Sequence, residues 1–193
     1  MRYNLDMEPL EGISFGVDSI ANRMHPEYSD DRYLVVPSVG LFGVFDGVTR
    51  SLDGGAAAQE ASRIIGDQFA LLDVGLTPKG LAEEIQQIMH EIHLHLCEGR
   101  FGSTTASVVA LTKQEGKTTV VIGNVGDSRV YTFKKGKDLM CRTLDDGILR
   151  YEGRMSPEKM IQYQEKAAQI TLETKDSVVL EVYKNNGLSQ ALG

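Results

Sequence analysis

Hydrophobic and polar positions along the first fifty residues follow a strand-like period. Gly12 to Val17 alternates apolar and polar side chains, which predicts a short strand. A polar loop follows through Asn22–Tyr28. Tyr33–Val36 and Val39–Phe45 read as two further strands. Pro37-Ser38 separates them, so a hairpin is expected. The period then becomes helical. From Gly55 to Leu72, Ala57, Ala61, Ile64, Ile65, Phe69 and Leu72 share one face. Thr77-Pro78 opens a second helix, with Thr as cap and Pro at the first position. Its stripe is Leu81, Ile85, Ile88, Met89, Ile92 and Leu96, and Gly99 stops it. After Gly102 the period returns to two. Thr104–Leu111, Thr118–Ile122, Ser128–Phe133 and Leu139–Thr143 read as strands, with turns at Glu115-Gly116 and Lys135-Gly136. Ser156-Pro157 starts another helix, and Ser177–Tyr183 has strand character.

Strands, then a helix pair, then a meander of strands is the order of an α+β protein with antiparallel sheets and segregated helices. The strand count predicts two stacked sheets. The 193 residues suit a single domain, 1–193. No apolar run approaches the ~20 residues of a membrane span. The N-terminal residues lack the apolar core of a signal peptide, so a cytoplasmic protein with no membrane partner is expected. Cys97 and Cys141 are few and far apart, the usage of free thiols. A formal net charge of −7 argues against a nucleic-acid partner.

The candidate chemistry is acidic. Asp30 and Asp31 precede the second strand; Asp46 ends the third, and Asp53 follows shortly after. Antiparallel pairing would bring Asp31 and Asp46 side by side. Carboxylates meeting at a sheet edge repel unless they share a cation, and oxygen-only donors favour Mg²⁺ or Mn²⁺ over Zn²⁺. A solvated acidic loop is the competing reading. Gly47 lets the backbone fold so that its own carbonyl faces the same ion. The small-residue run Gly102-Ser103-Thr104-Thr105-Ala106 indicates close backbone approach. Asn124-Val125-Gly126-Asp127 reads as a tight turn between strands. His90, His93 and His95 sit on or beside a helix whose apolar stripe is already complete, as surface histidines do.

Six segments in sequence order carry a specific resemblance. They are Ser29-Asp30-Asp31-Arg32, Val44-Phe45-Asp46-Gly47, Gly102-Ser103-Thr104-Thr105-Ala106, Asn124-Val125-Gly126-Asp127-Ser128-Arg129-Val130, Gly153-Arg154-Met155-Ser156-Pro157-Glu158, and Asn186-Gly187-Leu188-Ser189-Gln190-Ala191-Leu192-Gly193. Together they resemble the metal-dependent protein serine/threonine phosphatases of type 2C, the bacterial-type members most of all. The resemblance implies an α-β-β-α sandwich of antiparallel sheets flanked by helix pairs. It implies hydrolysis of phosphoserine and phosphothreonine in a protein substrate, with Mg²⁺ or Mn²⁺ as cofactor and a water between two cations as the nucleophile. By position, Asp46 would bridge the metals, Gly47 would lend its carbonyl, and Asp30 or Asp31 would hold the water shell of one metal, Asp30 by alignment. Residues 145–185 would form the flap beside the site.

The sequence also departs from the family pattern. Val48 follows Gly47, and Thr49-Arg50-Ser51-Leu52-Asp53 separates it from Gly54-Gly55, where the family has a single residue, often histidine. The phosphate-holding arginine position is Pro26, which leaves Arg23 as the catalytic candidate through a bulged loop, or Arg32 or Arg50 as substitutes. The Ser-Asp-Gly and Asp-Asn motifs that follow Ala-Leu-Gly in the family are not within these residues. The resemblance therefore implies a sandwich lacking its last strands within these residues, with three competing explanations: a fragment of a full phosphatase, an inactive relative, or a chain whose sandwich is completed by a partner chain or a second copy. It leaves two functional expectations: a phosphoprotein phosphatase, or a catalytically inactive phosphatase-like binding or regulatory module.

Overall fold

The computed structural model describes residues 14–20, 27–49, 51–72, 75–114, 116–135, 139–146 and 156. The chain divides into two compact units, with the boundary between Gly123 and Asn124.

The first unit is built on a four-stranded sheet in the order β1-β2-β3-β4, with β1 at Arg32–Val36, β2 at Leu41–Phe45, β3 at Ala106–Gln114 and β4 at Lys117–Val125. The expected hairpin is present: β1 and β2 pair antiparallel with Arg32 opposite Phe45 and Val36 opposite Leu41. Its turn is a short 3-10 segment, Pro37–Val39, closed by the Gly40 N–H donating to the Pro37 carbonyl at 3.1 Å. Gly40 has φ of 65°, a conformation that glycine adopts without a Cβ penalty. In β2, Leu41, Gly43 and Phe45 are buried while Val44 is exposed, the alternation of a strand packed on one face. β2 also pairs antiparallel with β3, Leu41 lying opposite Ala110.

Between β2 and β3 the chain forms α1, Gly54–Phe69, and α2, Pro78–Gly99. α1 packs on β1, β2 and α2. Its buried face starts with Gly54, Gly55, Ala57, Ala58 and Ala61, so small side chains let the helix lie close to the sheet before Ile65 and Phe69 fill the core. Ile64 is only half-buried, and Leu72 falls beyond the helix end. α2 follows its expected stripe: all six of its apolar positions are buried. Thr77 caps it by accepting from the Gly80 N–H at 3.0 Å, and Pro78 occupies the first turn. The helix runs through Gly99, and Arg100 takes the left-handed position with φ of 53°. Gly99 serves sterically instead, because a Cβ there would lie 2.4 Å from the Phe101 ring. Gly123 lets β4 approach α2, since a Cβ would lie 2.6 Å from Ile85 Cγ2. Residues 14–20 form no strand, although Phe15 rests against Phe42 with ring centroids 6.2 Å apart. Gly12, where a strand was expected to begin, lies outside the described residues.

The second unit holds β5, Tyr131–Thr132, paired antiparallel with β6, Met140–Cys141. Both are shorter than the alternation predicts. The Val130 N–H donates to Thr143 Oγ1 rather than to a strand carbonyl. The turn at Gly126 is fixed by Asp146, whose carboxylate accepts from the Gly126 N–H and whose own N–H donates to the Gly126 carbonyl, both at 3.0 Å. Arg129 makes a two-point ion pair with the buried Asp145 at 2.9 and 2.7 Å. Burial, and then the neighbouring Asp145 carboxylate, push the Asp127 carboxyl up from the ordinary aspartate range.

Two outcomes follow from these contacts. Ile92→Ala removes a fully buried side chain and lowers unfolding free energy by about 2–5 kcal/mol in urea titrations. Because folding raises the Asp127 pKa, the folded state is penalised once that carboxyl ionises. The penalty is absent below the unfolded value near 3.8 and develops as pH rises through the folded value. Asp127→Asn is therefore more stable than wild type at pH 7 and equal to it below that acidic range, as read from denaturation midpoints at both pH values.

Candidate metal centre

β1 and β2 bring the acidic residues to one edge. The register ends with Arg32 opposite Phe45, so Asp31 and Asp46 are the next residues beyond the paired ends of the two strands. The corner is then closed by contacts that only glycine permits. A Cβ on Gly47 would lie 2.5 Å from the Gly54 carbonyl atoms and 2.7 Å from the Asp30 carbonyl oxygen. A Cβ on Gly54 would lie 2.7 Å from the Gly47 carbonyl carbon. A Cβ on Gly55 would lie 2.8 Å from Asp30 Oδ1. The Asp30 carboxylate therefore lies against the first turn of α1, where the partial positive charge of a helix start favours an anion.

Asp46 stands on a fixed frame. Its N–H donates to Thr105 Oγ1 at 3.1 Å. Its carbonyl accepts from the Thr105 N–H at 2.9 Å and from Thr104 Oγ1 at 3.0 Å. Both threonines are fully buried, and Gly47 forms a bridge with Thr104. The Asp46 residue itself is exposed, on a backbone held by these threonines. The segment Gly102–Ala106 is thus the support of the site, as its small residues led one to expect. A Cβ on Gly102 would lie 2.4 Å from the Asp53 backbone.

The remaining candidates divide. Asp31 accepts from Ser29 Oγ at 3.2 Å, and its own N–H donates to that hydroxyl at 3.1 Å, so its carboxylate closes a local turn. Arg32 Nη1 donates to the Ser29 and Asp31 carbonyls, each at 2.7 Å. Arg23 and Arg50 lie outside the described residues, as does the 145–185 segment apart from Asp145, Asp146 and Ser156. Asp53 turns out to be the N-cap of α1, accepting from the Ala56 N–H at 2.8 Å. The sequence signal for that role was an aspartate immediately before a helical stripe. Ser51 is a support that sequence reasoning missed: its Oγ donates to the Val48 carbonyl and accepts from the Ser103 N–H. His95 pairs with Glu60 Oε1 at 3.0 Å on the exposed side of the helix pair, consistent with a surface role.

Among the described residues, no group of three or more His, Cys, Asp or Glu side chains is assembled for a metal. The corner offers hard oxygen donors: the Asp46 and Asp30 carboxylates and the Gly47 carbonyl. Mg²⁺ is held in many sites by one or two carboxylates and retains several waters. The donor set fits one hydrated cation. It does not by itself fit two.

Gly47→Ala sets a methyl against backbone atoms that cannot rotate away, and lowers stability by about 1–3 kcal/mol. Gly16→Ala, with open space around its Cβ position, leaves stability unchanged. Parallel thermal melts of the two variants check the contrast.

No protein-family model matches the sequence, and no curated protein matches it either. Solved structures do match. Serine/threonine phosphatase Stp1 from Staphylococcus aureus superposes with a TM-score of 0.58 at 17% identity, covering 94% of this chain and 70% of that one. A bacterial serine phosphatase variant gives 0.62 at 17% identity, covering 88% and 64%. The catalytic domain of the serine/threonine protein phosphatase PstP, in complex with two manganese ions, gives 0.51 at 21% identity, covering 73% and 60%. The chain thus spans between 60% and 70% of the length of these three phosphatases. The α+β arrangement of an antiparallel sheet with its helix pair is that of a type 2C-like serine/threonine phosphatase fold.

Proposed function

We propose that the chain is a metal-dependent phosphoprotein phosphatase acting on phosphoserine and phosphothreonine, with Mg²⁺ or Mn²⁺ held at the Asp46 corner. One observation carries this reading: the Gly47 backbone packs on the backbones of Gly54 and Asp30, and Gly55 packs on the Asp30 carboxylate, although six residues, Val48–Asp53, separate the two glycine segments. A loop under no constraint to present Asp46 has no need of that closure. Asp46 and Asp30 would supply the carboxylate ligands and Gly47 a carbonyl, with Asp31 acting through the turn that positions Asp30. When bound, such a cation lowers the pKa of water and neutralises charge on a phosphoryl group.

The residues of the chain contribute positioning. Thr104 and Thr105 hold the Asp46 backbone from both sides, so its carboxylate needs little reorganisation to meet a cation. The first turn of α1 holds Asp30. Arg32 anchors the entrance of β1 and has further N–H groups to offer a phosphate, a role shared in this proposal with Arg23. A soluble phosphoprotein substrate is the partner in this reading. Among the described residues no helix is long and apolar enough to cross a membrane. Organisation as one phosphatase-like domain of residues 1–193 belongs to the same proposal.

The donor count favours a second reading. With two carboxylates at the corner among the described residues, the chain would bind a cation without turnover and serve as an inactive phosphatase-like binding module. Hydrolysis of para-nitrophenyl phosphate with Mn²⁺ separates the two. Under the first reading wild type turns over, chelation stops it, and Asp46→Asn lowers the rate by about a hundredfold or more with the fold intact. Calorimetric Mn²⁺ binding without turnover establishes the inactive module. Neither binding nor turnover reduces the corner to an acidic loop.

A further inference from the structure

Gly47 lies opposite Thr104 in an antiparallel bridge. The bonds of that bridge are made by the flanking residues. The Thr105 N–H donates to the Asp46 carbonyl at 2.9 Å, and the Val48 N–H donates to the Ser103 carbonyl at 2.8 Å. In such a pairing the residue between the bonds directs its own N–H and carbonyl away from the partner segment. The Gly47–Val48 peptide is a planar trans unit, with the Gly47 carbonyl on the edge opposite the Val48 N–H. The bond from Val48 to Ser103 therefore sets the direction of the Gly47 carbonyl, which points away from Ser103.

Val48 and Ser103 stand where an antiparallel ladder exchanges two bonds. One of them is direct. The other is relayed through a side chain: the Ser103 N–H donates to Ser51 Oγ at 2.9 Å, and Ser51 Oγ donates to the Val48 carbonyl at 2.7 Å. The Ser51 N–H donates to the same carbonyl at 2.9 Å. The Ser51 hydroxyl is thus a wedge between two backbone groups that would otherwise bond directly. Gly102 makes room for it, because a Cβ there would lie 2.5 Å from Ser51 Oγ. Without the hydroxyl the Ser103 N–H loses its acceptor unless it closes on the Val48 carbonyl. Closing that gap draws Val48 toward Ser103 and turns the Gly47–Val48 peptide. Leaving it open removes a restraint on the same peptide.

We infer that Ser51 is a positioning residue for the cation: its hydroxyl sets the direction of the Gly47 carbonyl, and through it the affinity of the Asp46 corner for Mg²⁺ or Mn²⁺. This role rests on a cation binding at that corner, which the phosphatase and the inactive module both require, and not on turnover. Groups that orient a metal's ligands change its affinity without touching it.

Calorimetric titration with Mn²⁺ tests the role on wild type, Ser51→Ala, Ser51→Thr and Ile92→Ala, each held well below its melting temperature. Ser51→Ala is expected to bind about tenfold more weakly than wild type, the lower end of what the loss of such an orienting group costs. Ser51→Thr keeps the hydroxyl and binds close to wild type. Ile92→Ala, destabilised in the core of α2, also binds as wild type, which separates positioning from a general loss of stability. In the metal-free proteins the NMR resonance of the Gly47 carbonyl carbon moves between wild type and Ser51→Ala. Equal Mn²⁺ affinity in wild type and Ser51→Ala overturns the role. So does a loss in Ser51→Thr or Ile92→Ala as large as that in Ser51→Ala, or an unmoved Gly47 resonance. If wild type itself binds no Mn²⁺, the cation site fails and the role with it, an outcome distinct from a wild type that binds and a Ser51→Ala that binds equally well.

Discussion

The approach of the Gly47 backbone to Gly54 and Asp30 is the constraint on which the rest of the site depends. Three chain segments meet there: the end of β2, the start of α1 and the residues leading into β1. They meet at a separation no side chain would allow. The contact fixes where α1 begins relative to the sheet. It also fixes which way the chain turns after Asp46 and where the Asp30 carboxylate lies. Buried threonines then complete the frame by satisfying the Asp46 N–H and carbonyl, groups that would otherwise be costly to place beside the core.

The packing behind this corner is conventional and supports it. Alanines on the first turns of α1 bring the helix close to β1 and β2, and the larger side chains of both helices and β2 fill the interior farther along. Tight backbone contact at one end and side-chain packing beyond it hold the same helix at two places. A loop of six residues can therefore be accommodated between Gly47 and Gly54 without displacing either. Its hydrogen bonds to Ser103 and Gly102 tie it to the segment that also supports Asp46.

Much of this was legible in the sequence, for reasons that differ by element. α2 was read correctly at its start and along its whole buried face because Thr77-Pro78 marks the beginning and its stripe is uninterrupted. The hairpin and its acidic edge followed from two apolar runs flanking Pro37. The choice between Asp30 and Asp31 did not follow from the residues alone: adjacent aspartates have the same chemistry, and only the backbone path turns one toward α1 and the other toward Ser29. Asp53 read as a member of the acidic cluster because composition does not distinguish a helix cap from a ligand. The strand at Ser128–Phe133 was overestimated because alternation specifies a face, whereas Thr143 supplies a side-chain acceptor in place of a ladder bond. The resemblance to type 2C phosphatases was carried by short motifs, which is why the match appears in folds at 17–21% identity and in no family model.

The central claim is that the glycine contact presents the Asp46 carboxylate and the Gly47 carbonyl to a divalent cation. Anomalous diffraction from crystals soaked in Mn²⁺ tests it most directly. The account predicts a manganese peak in direct coordination to Asp46, with Asp30 facing the same ion through its water shell or directly. A corner without manganese, with the two carboxylates directed apart into solvent, would contradict it.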